Sequence, residues 1–135
     1  MSTTMQQRTR AGGFIQSEAN WSRSRDRVTI EGGSGGAGKL VAGTVLGKIT
    51  ASGKYVPSPH SASDGSQTAI AILFDDVDAT LDDVVATVIA RATEVRAADL
   101  IYDPSVDNDD KKALKLAQLD GSGIVTHPNF DVVTS

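Results

Sequence analysis

Residues 68–74 read TAIAILF and residues 84–91 read VVATVIAR. Both are short apolar runs rich in Val, Ile and Thr, whose branched side chains suit a pleated surface better than a helix. They predict two strands, separated by the acidic turn 75–83. Further toward the N-terminus, LVAGTVLGKIT at 40–50 and KYV at 54–56 flank Ala51-Ser52-Gly53, a loop whose glycine suits a tight hairpin. Residues 57–67, PSPHSASDGSQ, set two prolines and a glycine among small polar residues and predict a long surface loop. Together these segments describe a hairpin-rich sheet.

One helix is expected after Asp103-Pro104-Ser105-Val106. Asp107 or Asn108 can cap its N-terminus, and Asp109 and Asp110 then occupy the first turn, where carboxylates favour the positive end of the helix dipole. Ala113, Leu116, Ala117 and Leu119 form the predicted apolar face, and Gly121 the stop. A short strand at 123–126 follows, and 127–135 reads as a loose C-terminal tail. The fold class is therefore mainly β with one short helix (α+β).

Residues 1–30 are polar and rich in Ser and Arg, with Phe14, Ile15, Trp21, Val28 and Ile30 scattered without helical period. They predict an arm that is disordered by itself. The run EGGSGGAG at 31–38 holds five glycines and predicts a flexible joint. The expected division is a flexible N-terminal arm and joint at 1–38, a compact domain at 39–126 and the tail at 127–135.

A chain of 135 residues has room for one domain, since domains commonly run to roughly 100 to 150 residues. With three Phe, two Tyr and one Trp, the core must be filled mainly by aliphatic side chains, and burial between subunits is a natural source of added stability. The absence of cysteine excludes disulfides, thiolate metal sites and a cysteine nucleophile. MSTTMQQRTR lacks the apolar centre of a signal peptide, and no stretch approaches the roughly 18 apolar residues of a membrane span, so a cytoplasmic chain without membrane partners is expected. The net charge of −4 hides a polarity. Residues 1–30 carry five arginines against Glu18 and Asp26, a net of +3, whereas residues 31–135 carry eight basic and fifteen acidic side chains, a net of −7. An acidic body repels a phosphate backbone, which argues against direct nucleic-acid binding, while a basic arm is drawn to acidic surfaces.

Motifs that suggest chemistry fail on their neighbours. Gly33-Ser34-Gly35-Gly36-Ala37-Gly38-Lys39 has the glycine and lysine spacing of a nucleotide-binding loop, but Leu40 stands where a magnesium-binding hydroxyl is needed, and a strand pattern follows where a helix is required. Asp103, Ser105, Asp107 and Asp109 alternate like calcium ligands, yet Asn108 and Leu114 replace the glycine and glutamate of an EF-hand loop. The carboxylates at 75, 76, 78, 82 and 83 read as a solvated turn. His60 and His127 both lie in proline-containing loop sequence, and Asn20-Trp21-Ser22 matches a glycosylation sequon in a chain without a secretion signal. The expectation is no enzyme, no cofactor and no metal.

The segments in order carry a family resemblance. Phe14-Ile15-Gln16-Ser17-Glu18-Ala19-Asn20 with Ser24-Arg25, then LVAGTVLGKITASGKYVP, DGSQTAIAIL, ATVIARATEVRAADLIYD and KKALKLAQLDGSGIV, resemble the phage head decoration protein D family from about Phe14 to Val125. The glycine-rich insert at 32–38 is longer than that pattern, and the tail beyond Thr126 is extra. The resemblance implies a beta-clip fold and a homotrimer. It implies a late structural protein of the virion that binds the outer surface of the expanded head at three-fold and quasi-three-fold positions and stabilises it against packaged-DNA pressure. Assembly then takes place in the host cytoplasm. The partner it implies, besides other copies of the chain, is the major capsid protein, met by an arm that becomes ordered on the capsid.

The capsid-binding candidates that follow are Phe14, Ile15, Ser17, Glu18, Ala19, Trp21, Arg23, Arg25, Arg27, Val28 and Ile30. An arm of this kind can add a strand to an exposed sheet edge, main-chain bonds giving affinity and apolar side chains giving register. Arg23, Arg25 and Arg27 alternate, so a strand places them on one face. The alternative is a phage surface display module that binds a host glycan or receptor; against it, the body offers only Tyr55, Phe74, Tyr102 and Phe130 for stacking on a sugar.

Overall fold

The computed structural model describes residues 15–18, 24–33 and 38–127. Along the chain these form β1 (Ile15–Glu18), β2 (Arg25–Ile30), β3 (Gly38–Leu40), β4 (Val45–Lys48), β5 (Tyr55–Pro57), β6 (Ala69–Leu73), β7 (Val77–Ala79), β8 (Val84–Ile89) and β9 (Thr93–Arg96). A 3-10 turn (Ala97–Asp99), the helix α1 (Asp109–Gly121) and β10 (Ile124–His127) complete them. The protein is mostly β with one helix, as its sequence pattern indicates.

Strands β2, β5, β4, β6 and β8 close into a barrel in that order, β2 pairing antiparallel with β8 to seal it. The apolar runs in β4 and β6, and the end of β8 at Val88 and Ile89, do not alternate with polar residues because both faces are covered there, whereas Val85 nearer the start of β8 is exposed. Successive strand residues point to opposite faces. Leu46, Leu73 and Val88 accordingly enter one buried cluster with Ile30, Ala71 and Ala86. Their chain neighbours Val45, Ile72 and Ile89 enter another with Val95, Leu100, Leu119 and Ile124. The second cluster lies where α1, β9 and β10 cover the barrel. In that outer layer β9 is central, antiparallel to β1 and parallel to β10. Ile15 lies opposite Val95, and His127 opposite Arg96.

The hairpin predicted around 51–53 is present, with Lys48 opposite Tyr55 and Gly47 opposite Val56. The single strand expected at 40–50 is instead two, β3 and β4. The chain turns between them, where Gly43 N–H donates to Leu73 O at 2.9 Å and Ala42 N–H to Asp76 Oδ1 at 2.8 Å. The acidic segment 75–83 is more than a turn, since it contains β7, paired with β3. Residues 93–96 form a strand that the sequence pattern left unassigned, with Thr93 and Val95 buried and Glu94 and Arg96 exposed.

Helix α1 starts as expected: Asn108 is the cap, its side chain accepting from Lys111 N–H at 2.9 Å. Its end is shifted. Gly121 is the last helical residue, and Gly123 (φ 88°) supplies the left-handed conformation that ends the turn. Its buried face also differs, because Ala113 and Ala117 are exposed, Leu116 is half-buried, and the fully buried residues are Lys115 and Leu119, one turn apart. Lys115 directs its ammonium to Ser58 Oγ (2.9 Å), Pro59 O (2.6 Å) and Gln67 O (2.5 Å), and so fastens the ends of the 57–67 loop to the helix.

The largest departure concerns residues 1–38. Two of the segments expected to be arm, β1 and β2, lie against the body, and Ile30 is fully buried in the barrel. Only Val28 and Ile30 supply apolar side chains on the inward parity of β2, which is too weak a pattern to stand out among charges. Of the expected joint, Gly32 N–H donates to Asp83 Oδ1 (2.9 Å) and Gly33 N–H to Ala79 O (3.0 Å). Thus the fold crosses the boundary drawn between residues 38 and 39. Residues 34–37 and the tail from 128 onward lie outside the described residues.

Candidate functional site

The candidate positions fall on β1 and β2 and in segments outside the described residues; Phe14, Ala19, Trp21 and Arg23 are among the latter. Ile15 is half-buried and packs on the cluster shared by α1, β9 and β10. Ser17 stands opposite Glu94 in the β1–β9 ladder, which shifts register between Ile15 and Ser17. β1 pairs on one side only, so its outer edge carries no strand among the described residues. Unsatisfied main-chain groups on such an edge are a template for another strand.

Glu18 and Arg25 meet although six residues separate them. The guanidinium donates through Nε to Glu18 Oε2 at 2.7 Å and through Nη2 to Oε1 at 2.8 Å, a bidentate pairing, and Ser24 Oγ donates to the same carboxylate. The other face of the guanidinium lies 4.1 Å from the centre of the Phe74 ring. Arg25 holds the Glu18 carboxyl below its ordinary range, against the opposing effect of burial and with help from Ser24; Glu18 in turn raises Arg25. This cluster ties β1 to the start of β2.

The remaining candidates divide by face. Arg27, opposite Thr87 and exposed, reaches Thr87 Oγ1 at 3.5 Å, a marginal contact that leaves the guanidinium accessible. Val28 is half-buried against the barrel interior and Ile30 is inside it, so these two hold β2 in register rather than facing a partner. Arg25 and Arg27 share strand parity as expected, but Arg25 is committed to Glu18 whereas Arg27 is exposed. Asp26, between them, accepts from Arg91 Nη2 at 2.6 Å.

Sequence features that suggested other chemistry have structural roles. Gly38 and Lys39 open a strand, where a nucleotide-binding loop requires a helix. Asp103 accepts from Ser105 N–H (3.1 Å) and Oγ (2.6 Å), Asp107 pairs with Lys111 (2.9 Å), and Asp109 sits in the first turn of α1. Among the described residues no three metal-ligating side chains converge, and no helix is long and apolar enough to cross a membrane.

Two features escaped the sequence reading. Lys115 looks like a solvated helix residue, and nothing in KKALKLAQL marks it as buried. Leu81, in the turn between β7 and β8, is 83% exposed, and the sequence signal was a lone large apolar residue between Thr80 and Asp82.

No curated protein matches the chain. The family model described as bacteriophage lambda head decoration protein D matches residues 4–124 of the 135. The chain therefore belongs to the bacteriophage lambda head decoration protein D family, structural components of the virion capsid.

Proposed function

We propose that this chain is a capsid cement: a homotrimer that binds the major capsid protein on the outside of the expanded head, at three-fold and quasi-three-fold positions, and resists the pressure of packaged DNA. Family membership over residues 4–124 carries this reading, and with it the expectation of a beta-clip relationship for the barrel. The reading puts the contact at the N-terminal side of the body; supporting it, the outer edge of β1 carries no strand among the described residues, and Arg27 is exposed. Phe14, Ile15, Ser17, Ala19, Trp21, Arg23 and Arg27 make up the contacting set. Glu18 and Arg25 position β1, and Val28 and Ile30 anchor β2. Three such contacts on one rigid trimer make each later one intramolecular, which raises avidity by roughly 10² to 10⁴ over a single contact.

The test is a chain lacking residues 1–20, which removes β1 and retains every barrel strand. It is expected to fold and to lose saturating binding to expanded, undecorated capsids in co-sedimentation. Truncated protein that saturates capsids with unchanged affinity would show the contact to be elsewhere. In the full-length chain Trp21, the single tryptophan, should shift its emission to the blue on the same capsids.

A further inference from the structure

Strand β1 is held chiefly at its two ends. Its ladder with β9 covers four residues and shifts register between Ile15 and Ser17, which interrupts the main-chain pairing there. At one end Ile15, opposite Val95, packs on the cluster that α1, β9 and β10 share with the barrel. The other end depends on Glu18, and the Glu18 clasp depends on a residue outside the capsid-binding candidates.

That residue is Phe74, which follows β6. Strands β2 and β6 flank β8. Arg25 stands opposite Ile89, Leu73 opposite Val88, and Phe74 N–H donates to Thr87 O at 3.0 Å. Alternation along β8 puts Thr87 and Ile89 on one face, so Arg25 and Phe74 share the face that the outer layer covers. The guanidinium lies 4.1 Å from the ring centre, while Glu18 accepts from its Nε and Nη2 at 2.7 and 2.8 Å. Ser24 is fully buried, its carbonyl accepts from Ala90 N–H at 2.8 Å, and its hydroxyl donates to the same carboxylate. The ring limits the orientations of the planar fork and shields one side of it from water, and a bidentate pair is stronger in such surroundings. A ring on the barrel thereby sets the place of a strand in the outer layer.

We propose that Phe74 is a positioning residue of the capsid contact: by seating Arg25 against Glu18 it keeps β1 on β9, with its outer edge presented, before any capsid is met. The inference rests on the capsid-cement reading above and adds preorganisation to it. Affinity for a strand that is in place only part of the time falls with the fraction in place, and ordering the strand at the moment of contact subtracts from binding. Phe74 raises that fraction.

Three variants of the full-length chain test this. Phe74→Leu keeps apolar bulk and loses the ring, Phe74→Tyr keeps the ring, and Arg25→Lys keeps the charge and loses the fork. In the free protein, Phe74→Leu and Arg25→Lys are expected to speed amide exchange at residues 15–18 while β6 and β8 keep wild-type protection. Co-sedimentation with expanded, undecorated capsids should show about tenfold weaker binding for both, a factor equal to roughly 1.4 kcal/mol, with Phe74→Tyr restored to the wild-type value. In a Glu18→Gln background Phe74→Leu should add little further loss, because the pair it supports is already broken. Full additivity would mean that the ring acts through some other contact and would overturn the proposal. Unchanged exchange at residues 15–18 in Phe74→Leu, or faster exchange with unchanged affinity, overturns it too. So does an Arg25→Lys that behaves as wild type, even where Phe74→Leu does not fold. If the wild-type protein fails to bind capsids, the cement reading falls and the capsid role of Phe74 with it, while the exchange rates still decide whether the ring holds β1.

Discussion

Lys115 stands at a helix position where an amphipathic pattern leads one to expect leucine. A lysine can be buried there because its stem is aliphatic and its head finds three oxygen acceptors, although burial still pushes its pKa down. Lys115→Ala removes that packing and leaves Pro59 O and Gln67 O without their donor. Urea unfolding should show a loss of about 2–4 kcal/mol, and Lys115→Met should recover the packing part of it. Equal losses in the two variants would mean that the polar contacts alone matter. Glu18 is the titrating residue of the β1 clasp. Its folded pKa lies below the ordinary 4.5 because Arg25 stabilises the carboxylate. Its contribution is therefore fully present above about pH 4.5 and is lost as pH falls through the lower folded value. Other carboxylates, such as Asp83 and Asp107, titrate in the same direction, so the informative quantity is the stability difference between the wild type and Glu18→Gln. That difference should shrink between pH 7 and pH 3; a constant difference would assign the clasp to Ser24 and packing.

Among the elements, legibility followed the distance to the partner strand. The β4–β5 hairpin was legible because its turn is local, β6 because its run is almost wholly buried, β8 because its run is rich in Val, Ile and Thr, and α1 because its cap and acidic first turn are written in consecutive residues. β2, β7 and β9 were not. β2 pairs with β8 from the far side of the chain, β7 is hidden among aspartates that mask its three-residue ladder, and β9 has only Thr93 and Val95 facing inward. The polar composition of 24–30 suggested an arm, yet the barrel needs this strand to close. Deleting residues 1–30 should consequently abolish cooperative unfolding, unlike deletion of 1–20, and Ile30→Ala should cost about 2–5 kcal/mol. A folded, cooperative protein lacking residues 1–30 would place the closing interactions outside β2.

For the whole molecule, family order was legible from motifs strung along most of the chain, whereas the partition of the candidate site was not. Glu18 and Arg25 look like two independent surface charges in sequence and become one clasp only when β1 folds back on β9. Val28 and Ile30 look like adhesive residues and become core. Such reassignment comes from tertiary closure, which pairs residues by the geometry of the sheet rather than by their spacing. The segregation of charge, basic ahead of residue 31 and acidic after it, survives in the fold as a body whose acidic turns cluster about β7 and α1.

The outer layer has one more consequence. Because β9 runs antiparallel to β1 and parallel to β10, Ile15 and His127 lie at the same end of that sheet, two strand spacings or about 10 Å apart. A linker of a few residues is enough to join them, so a circular permutant opened in the exposed 61–64 loop tip keeps every strand in its place. By the same geometry, cargo fused after β10 leaves the body beside the proposed capsid contact, and its linker must be long enough to carry it clear.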